Sequence, residues 1–449
     1  MIPSHMRSGS HGAATNWPLI DIGNLLSSRY ERAKRLNHKL CDFLMDVFIA
    51  RQPIFDSRQR VYGYELLFRS GLENFFQHPD PDQATSKVIV DSFFLLGLTT
   101  LTDGKRAFIN ITRDILLKEY VFLVPKELIV VEILETIEPD AEVIAACERL
   151  KKAGYLLAMD DFIYKDEYKP LIDLTDFIKV DFLSTGKDER SSLVQLFSPR
   201  GIHFLAEKVE TPAVLQEAME TGYKYFQGYF FSKPKIISGR DIPAYKLHYF
   251  RILQEIHRSE LDFRQLAEII KQEVSLSFKL LRYINSAFFG LRCRINSIIQ
   301  ALALLGEKEI RNWVSLIALA NMGGDKPEEL VVQSIIRGKF CEFMAPHFGL
   351  ARRKEDLFLM GIFSLIDAIL DRPLTDIMKE IPITQDIKNA LQGERNRLRD
   401  VYEYVLASER GDWRGLSEVV SRIRMDETTA FRLYLEAVKW GHQCFQESS

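Results

Sequence analysis

Two neighbouring carboxylates, Asp160 and Asp161, follow a run of apolar residues in the segment Tyr155–Phe162. Such a run is typical of a buried parallel strand that opens at its carboxyl end onto a loop. Adjacent side chains normally point to opposite faces of a strand. Where the chain bends at the mouth of a barrel, however, both can reach one site that suits a divalent metal ion. A polar strand end or a helix N-cap is the alternative interpretation.

Polar side chains recur at the ends of the other predicted strands. They are Glu65, Asn110, Glu132, Glu135, Asp160, Asp161, Lys179, Glu207, Glu210 and Gln227. In a (β/α)8 barrel these ends converge on one face, which carries the active site. Each residue alone also fits a surface position or a salt bridge.

The chemistry of this set is that of a hard, oxygen-only metal site. Carboxylate and amide oxygens without histidine or cysteine suit Mg²⁺ or Mn²⁺ rather than zinc. Two such ions would clamp a phosphodiester and generate hydroxide near neutral pH. Lys179 would hold the nucleophilic water or offset the developing phosphoryl charge.

Short β-rich runs recur between residues 47 and 234, with helical patterns between most of them. Strands are predicted at Val47–Ile54, Tyr62–Phe68, Ala107–Ile111, Ile129–Ile133, Tyr155–Met159, Phe177–Val180, Ile202–Ala206 and Tyr225–Gly228, and helices at Ala84–Leu98, Ala141–Ala153 and Pro212–Thr221. This alternation predicts a closed, TIM-like α/β barrel of about eight strands. The first two strands are joined through Asp56–Arg60 without a helix, so we expect that pair to be antiparallel.

After Pro234 the strand signals nearly vanish and apolar residues recur at helical spacing. One predicted helix carries Leu266 and Ile270, and another starts near Ile298 and is broken at Gly306. We expect an all-helical domain to the C-terminus. The predicted limits are 1–44 for a partly disordered or helical extension, 45–238 for the barrel and 239–449 for the helical domain, joined at the turn-rich Ser238–Pro243.

Composition supports this organisation. A chain of 449 residues exceeds what one hydrophobic core usually supports, which favours two domains. With 59 basic and 62 acidic residues the formal charge is −3, so no global field recruits nucleic acid or an anionic membrane. Five scattered cysteines without a CxxC pair indicate free thiols in a reducing compartment. No apolar run reaches the roughly 20 residues needed to cross a bilayer. We predict a cytoplasmic protein.

Several segments of the barrel half resemble the EAL domain family. They are Gln52–Ile54, Glu65–Arg69, Glu132–Glu135, Asp160–Phe162, Lys179–Asp181, Ala206–Glu210 and Gln227–Pro234. The family hydrolyses cyclic di-GMP to the linear dinucleotide pGpG on a TIM-type barrel. The resemblance implies that the metal ligands are Glu65, Asn110, Glu132, Asp160 and Glu207, with Asp161 on a second metal. It also implies that Lys179, Glu210 and Gln227 are catalytic, that Gln52 and Arg69 contact the nucleotide, and that Glu135 supports a loop.

The loop after Asp161 departs from the family pattern. Relatives usually have Phe-Gly and a short Gly/Ser-rich turn, where this chain has Phe162–Tyr168. Glycine there permits backbone conformations that Ile163 does not easily adopt. In active relatives this loop positions the second metal and dimer contacts, so both slow hydrolysis and binding without hydrolysis follow. A homodimer is left open.

The helical half resembles an HDOD domain, a relative of the HD phosphohydrolases, through Val274–Gly290 and Ile298–Gly306. HD enzymes need adjacent His and Asp ligands, and the counterpart here is Leu365–Asp367, where Ile366 replaces the histidine. Without that imidazole no HD-type metal site forms. The resemblance therefore implies an output or protein-docking module rather than a second enzyme.

Three functions remain open at this point. The first is a metal-dependent cyclic di-GMP phosphodiesterase coupled to the helical domain. The second is a receptor that binds cyclic di-GMP with negligible cleavage. The third is a scaffold whose acidic pocket is a relic.

Overall fold

The structure is a computed structural model that describes residues 49–68, 95–233, 243–258, 260–272, 274–285, 295, 297–423 and 425–448. The predicted extension 1–44, Arg69, residues 84–94 of the first predicted helix and residues 238–242 of the domain junction lie outside the described residues.

The predicted barrel is confirmed. The strands are β1 (Ile49–Asp56), β2 (Val61–Phe68), β3 (Arg106–Ile111), β4 (Ile129–Ile133), β5 (Leu156–Met159), β6 (Phe177–Asp181), β7 (His203–Glu207) and β8 (Tyr225–Gln227). They close in chain order into one barrel. β1 runs antiparallel to both β2 and β8, and the other neighbours are parallel. The predicted antiparallel opening pair is therefore correct.

Helices connect most of the parallel strands. They are α1 (Leu95–Thr102), α2 (Arg113–Leu117), α3 (Ala141–Ala153), α4 (Lys169–Ile172), α5 (Lys187–Phe197) and α6 (Pro212–Thr221). The side chains of Asp140 and Thr211 cap α3 and α6, and Gly154 and Gly222 end these helices in the left-handed conformation. These cap residues explain why both predicted boundaries agree with the structure.

Apolar residues fill one layer of the barrel interior. The layer contains Ile54, Phe108, Val130, Ala158, Phe177 and Leu205, all at most 2% exposed. Because side chains alternate along a strand, the residue two positions further on faces the same interior. On β3 to β7 these residues are Asn110, Glu132, Asp160, Lys179 and Glu207. A polar layer thus lies directly above the apolar one, at the carboxyl ends of the parallel strands.

The second half of the chain is helical, as predicted. Its helices are α7 (Ala244–Ile256), α8 (Phe263–Gln272), α9 (Val274–Ile284), α10 (Ile298–Met322), α11 (Glu328–Met344), α12 (Lys354–Phe363), α13 (Ile366–Leu370), α14 (Leu374–Glu380), α15 (Gln385–Leu391), α16 (Arg397–Arg410), α17 (Trp413–Ile423) and α18 (Glu427–Ser448). The predicted break at Gly306 is present, since this residue has φ 76° inside α10. Among the described residues, no helix combines the length and apolar character needed to span a membrane.

The barrel and the helical half pack together as one compact unit, with α16 against β1 and α18 against α1. At this contact the buried Arg51 of β1 donates to the Leu101 carbonyl over 2.7 Å and to His442 Nε2 over 2.9 Å. Its Nη2 lies 3.3 Å from Glu329 Oε1, and the hydroxyl of Tyr64 donates to Glu329 Oε2 over 2.8 Å. A buried, hydrogen-bonded ion pair therefore joins the two halves. No motif in the sequence predicts this pair.

Candidate metal and phosphodiester site

Lys179 is the centre of the polar layer. Its ammonium on β6 is fully buried, with Nζ 2.7 Å from both Glu132 Oε1 and Asp160 Oδ1. Glu207 Oε1 lies at 3.1 Å and Glu65 Oε1 at 3.4 Å. Four carboxylates from β2, β4, β7 and the end of β5 thus converge on one point, as the sequence predicts.

Amide side chains hold Glu65 from both sides. Asn110 Nδ2 donates to Glu65 Oε1 over 3.2 Å, and Gln227 Nε2 donates to Glu65 Oε2 over 2.5 Å. Gln227 Nε2 also lies 2.9 Å from Gln52 Oε1. Gln227 is fixed by its successor Gly228, whose φ of 143° and close approach to Val209 leave no space for a Cβ. These contacts orient the Glu65 carboxylate toward the centre.

The close approach of the four carboxylates shifts the pKa values of the cluster. Burial, together with neighbouring carboxylates, raises the pKa of Glu132 well above its usual range and that of Glu207 to about 8. Burial alone would lower the pKa of Lys179, but the four carboxylates outweigh it and raise that pKa well above the ordinary value. One ammonium shared among four carboxylates does not compensate them all. The cluster therefore carries excess negative charge that a further cation would offset.

Several buried polar atoms of the cluster have no hydrogen-bond partner among the described residues. They are Oε2 of Glu132, Oδ1 of Asn110 and Oε1 of Gln227. Orphaned buried acceptors are costly and usually indicate an ion, a water or a functional role. In the described part of the chain, no three acids, histidines or cysteines already have the spacing of a metal shell. The carboxylates contact the ammonium of Lys179. The donor set itself is the oxygen-only set that Mg²⁺ and Mn²⁺ prefer.

Asp161 and Glu135 do not contact the cluster. Both side chains are exposed, and they line a small neighbouring cavity of about 120 Å³ that Asp160 and Tyr168 also line. Asp161 has φ 40°, which turns the chain immediately after Asp160. The carbonyl of Glu135 accepts a hydrogen bond from the Tyr168 hydroxyl over 3.1 Å. The two acids thus share a cavity with Asp160, which is a member of the cluster.

Glu210 is further from the centre than the sequence predicts. It is about half exposed and pairs with Lys233 at 3.1 Å. Among the described residues it forms no ion pair with Lys179. Asp181, to which no role was assigned, is instead partly buried at the rim. It accepts from the amides of Leu183 and Ser184 and from Lys208 Nζ at 2.6 Å, which lowers its pKa despite burial. Its position at the end of β6 is the sequence signal that could have identified Asp181 as a residue of this rim.

The chain turns just before the loop Phe162–Tyr168. The residue with positive φ is Asp161, one position before the buried Phe162. Phe162 packs edge-on against Tyr168 and Phe197, whereas Ile163 is 64% exposed. Ile163 is not among the described residues with positive φ, and the effect of this loop on turnover stays a prediction.

The metal-free protein should lose stability as pH rises through neutrality. The pKa of Glu207 is raised from 4.5 to about 8 in the folded state, so the folded protein retains a proton that the unfolded chain releases. Stability then falls between these values, with a slope of up to about 1.4 kcal/mol per pH unit for one proton. We expect urea unfolding in EDTA to show this decline and Glu207→Gln to flatten it. Equal slopes for Glu207→Gln, for wild type and for the surface control Glu189→Gln would contradict the assignment.

The chain belongs to the family of proteins that join an EAL domain to an HDOD domain. The EAL domain family matches residues 72–234 and the HDOD domain family residues 242–381. The matched EAL range begins after Gln52, Glu65 and Arg69. The motif and the geometry support the roles of Gln52 and Glu65, and the motif alone supports that of Arg69.

Two relatives align over nearly their whole length. The uncharacterized protein YuxH of Bacillus subtilis is 37% identical over 406 residues, which is 89% of this chain and 98% of that protein. Cyclic di-GMP phosphodiesterase CdgJ of Vibrio cholerae is 34% identical over 402 residues, covering 89% of this chain and 93% of that protein. The solved structure of a standalone EAL protein from Vibrio cholerae O395, in a c-di-GMP bound form, is 28% identical. The alignment covers 42% of this chain and 92% of the chain of that structure, with a TM-score of 0.31.

Proposed function

We propose that the barrel is a divalent-metal-dependent phosphodiesterase that hydrolyses cyclic di-GMP to linear pGpG. The observation that carries this proposal is the convergence of Glu65, Glu132, Asp160 and Glu207 within 3.4 Å of Lys179 Nζ at the carboxyl ends of the strands. The relative CdgJ is named a cyclic di-GMP phosphodiesterase, which supports this choice of substrate. The scattered cysteines support a cytoplasmic location.

The metal ligands in this proposal are Glu65, Asn110, Glu132, Asp160 and Glu207, with Asp161 beside them for a second ion. The orphaned Oε2 of Glu132 and Oδ1 of Asn110 fit this role, because coordination would satisfy them. A bound Mg²⁺ or Mn²⁺ would lower the pKa of a coordinated water and neutralise phosphoryl charge. The oxygen-only ligand set suits either ion, and we propose Mg²⁺ or Mn²⁺ without a choice between them.

The chain's own residues have distinct tasks in this reaction. Lys179 stays protonated at neutral pH, because its pKa is raised. It therefore acts as a fixed positive charge and hydrogen-bond donor toward the phosphodiester and the attacking water, not as a base. Gln227 and Asn110 hold the Glu65 carboxylate in place. Hydrolysis forms a bond from the water oxygen to phosphorus and breaks the P–O3′ bond, and the departing 3′ oxygen takes up a proton.

The remaining assignments rest on motif matches. Gln52 lies beside Gln227 at the edge of the cluster, where it can contact a nucleotide, and Arg69 keeps the same predicted role. Glu135 is proposed to support the loop that its carbonyl contacts through Tyr168. The catalytic role of Glu210 has the least geometric support, because its carboxylate pairs with Lys233.

A cyclic di-GMP receptor is the second candidate function. It is favoured by the atypical loop Phe162–Tyr168, and by Asp161 and Glu135, which are exposed and lie outside the cluster. If the second metal is not held there, the ligand would bind without efficient cleavage. In that case binding of cyclic di-GMP to the barrel would act as a signal to the helical domain.

For the helical domain, with predicted limits 239–449, we propose an output role through a protein partner. At the HD position, Ile366 is buried and offers no ligand atom, and Asp367 accepts a hydrogen bond from the amide of Ala368. The buried contact of Arg51 with Glu329 supplies a physical link between the domains. The same two strands reach both places. β1 carries Arg51 at the contact and Gln52 in the site, and β2 carries Tyr64 at the contact and Glu65 in the site.

Calorimetry combined with product analysis separates enzyme from receptor. With cyclic di-GMP and Mn²⁺ the enzyme releases pGpG, and Glu65→Ala abolishes product because it removes the carboxylate that both amides hold. The matched control is Glu189→Ala on the surface of α5. Tight binding without product would favour the receptor, and absence of binding would contradict both functions.

A further inference from the structure

A cavity of about 840 Å³ lies within the helical domain, bounded by α9, α10, α11, α12 and α18. Its size is in the range of roughly 300–1,000 Å³ that is usual for small-molecule sites. None of the cluster residues around Lys179 lines it, and neither Ile366 nor Asp367 of the HD position does. The cavity is therefore separate from both the barrel site and the vestigial HD position.

Positive charge dominates the cavity lining. The cations are Lys279, Arg282, Lys308, Lys339 and Lys354, and the lining carboxylates are Glu309 and Glu342. Lys339 pairs with Glu342 at 2.9 Å, and Lys308 pairs with Glu355 just outside the lining. The lining still carries more positive than negative charge, in a concave surface that concentrates the field.

Lys279 and Arg282 are the cations that α9 directs to this cavity. They lie three positions apart on the helix, where like charges repel and lower helix stability. Burial and the nearby guanidinium of Arg282 together lower the pKa of Lys279. An anion bound between the two side chains would offset this repulsion.

Aromatic side chains form the other part of the lining. The rings of Tyr283 and Trp313 stack with centroids 6.0 Å apart and planes at 23°. Lys339 Nζ lies 4.7 Å from the centre of the Trp440 ring. Buried Leu316 and Ile317 complete an apolar floor. Flat aromatic surfaces of this kind stack nucleobases, worth about 1–3 kcal/mol per base.

We propose that this cavity binds a nucleotide, with the base against the aromatic rings and the phosphates near Lys279 and Arg282. The combination of planar apolar surface and clustered cations matches a ligand with a flat ring at one end and several negative charges at the other. The helical domain then has a small-molecule input of its own, independent of the function proposed for the barrel.

Calorimetry on the full chain tests this proposal, with GTP and ATP as probes and EDTA present to remove divalent ions from the barrel. Guanosine and tripolyphosphate serve as the two half-ligands. We expect at least one nucleotide to bind about tenfold or more tighter than either half, because base and phosphate are held together. No nucleotide binding, or tripolyphosphate binding as tight as the nucleotides, would overturn the assignment.

Paired variants locate the binding site. The double variant Lys279→Ala/Arg282→Ala should weaken nucleotide binding by about tenfold or more, which corresponds to ~1.4 kcal/mol. The matched control Arg264→Ala/Lys271→Ala removes two exposed cations from the neighbouring α8 and should bind as wild type does. Trp440→Leu, checked for folding by circular dichroism, should also weaken binding. Equal affinity of the pocket variant and the control would contradict a site in this cavity.

Discussion

Replacing Lys179 by methionine is expected to reduce hydrolysis of cyclic di-GMP by about a hundred- to a thousandfold, the loss typical of removing one donor to a developing anion. The ammonium is fully buried between four carboxylates, and among the described residues it is the cation that pairs with all four. The measurement is the single-turnover rate at saturating Mn²⁺.

The same variant should respond more strongly to metal than the wild-type protein does. Without the ammonium, the carboxylates repel one another and the metal-free variant loses stability, whereas a divalent ion no longer competes with Lys179 for the same oxygens. Thermal unfolding across an Mn²⁺ titration should therefore show a larger rise in Tm for Lys179→Met, since a ligand stabilises in proportion to its affinity for the folded state. Lys187→Met, on the surface of α5, controls for loss of one charge. Unchanged turnover, or a smaller Tm rise than wild type, would argue against the assigned role.

Replacing Arg51 by alanine is expected to cost about 3–5 kcal/mol of folding free energy, because it leaves the buried Glu329 without its partner. The side chains of Arg51 and Glu329 are each 5% exposed. Burial lowers the pKa of His442 to about 3, so this neighbour accepts a hydrogen bond from Arg51 but carries no compensating charge near neutral pH. Urea unfolding at neutral pH measures the loss.

Arg60→Ala is the matched control for this prediction. Arg60 lies near β2 and pairs with Asp56 at 2.8 Å, but its side chain is 68% exposed. An exposed pair of this kind contributes about 0–1 kcal/mol. Similar costs for the two variants would mean that the contact between barrel and helices is not held by a buried charge. A large loss for Arg51→Ala alone would support a rigid link between the helical domain and the site strands.

The barrel and most of its site were predictable because both follow from local patterns. Each central strand has an apolar residue followed two positions later by a polar one, as in Phe108 and Asn110 or Phe177 and Lys179. A period of two fixes the face on which each side chain lies, and strand closure then brings the polar residues together. The position of Lys179 among Glu65, Glu132, Asp160 and Glu207 follows from this rule.

The residues whose positions were not predicted from the sequence lie beyond the strands or contact distant parts of the chain. Asp161 and Glu210 follow strand ends, where backbone angles in loops decide direction and no periodic pattern applies. Arg51 is adjacent to Gln52, yet its partner Glu329 is 278 residues away in the sequence. No local signal specifies such a contact, although an arginine in an otherwise apolar strand is a sign that a buried partner exists.

The most direct test of the central claim is product formation with protein in excess over cyclic di-GMP, followed across an Mn²⁺ titration that starts from EDTA. The site geometry predicts no pGpG in EDTA, a rise in product with Mn²⁺, and loss of that rise in Glu132→Gln. The Glu132 carboxylate is fully buried, with Oε1 paired to Lys179 and Oε2 without a partner among the described residues. Product at equal rate in EDTA, or an active Glu132→Gln protein, would contradict a metal-dependent reaction at this cluster. Absence of pGpG at every Mn²⁺ concentration would contradict the enzyme itself.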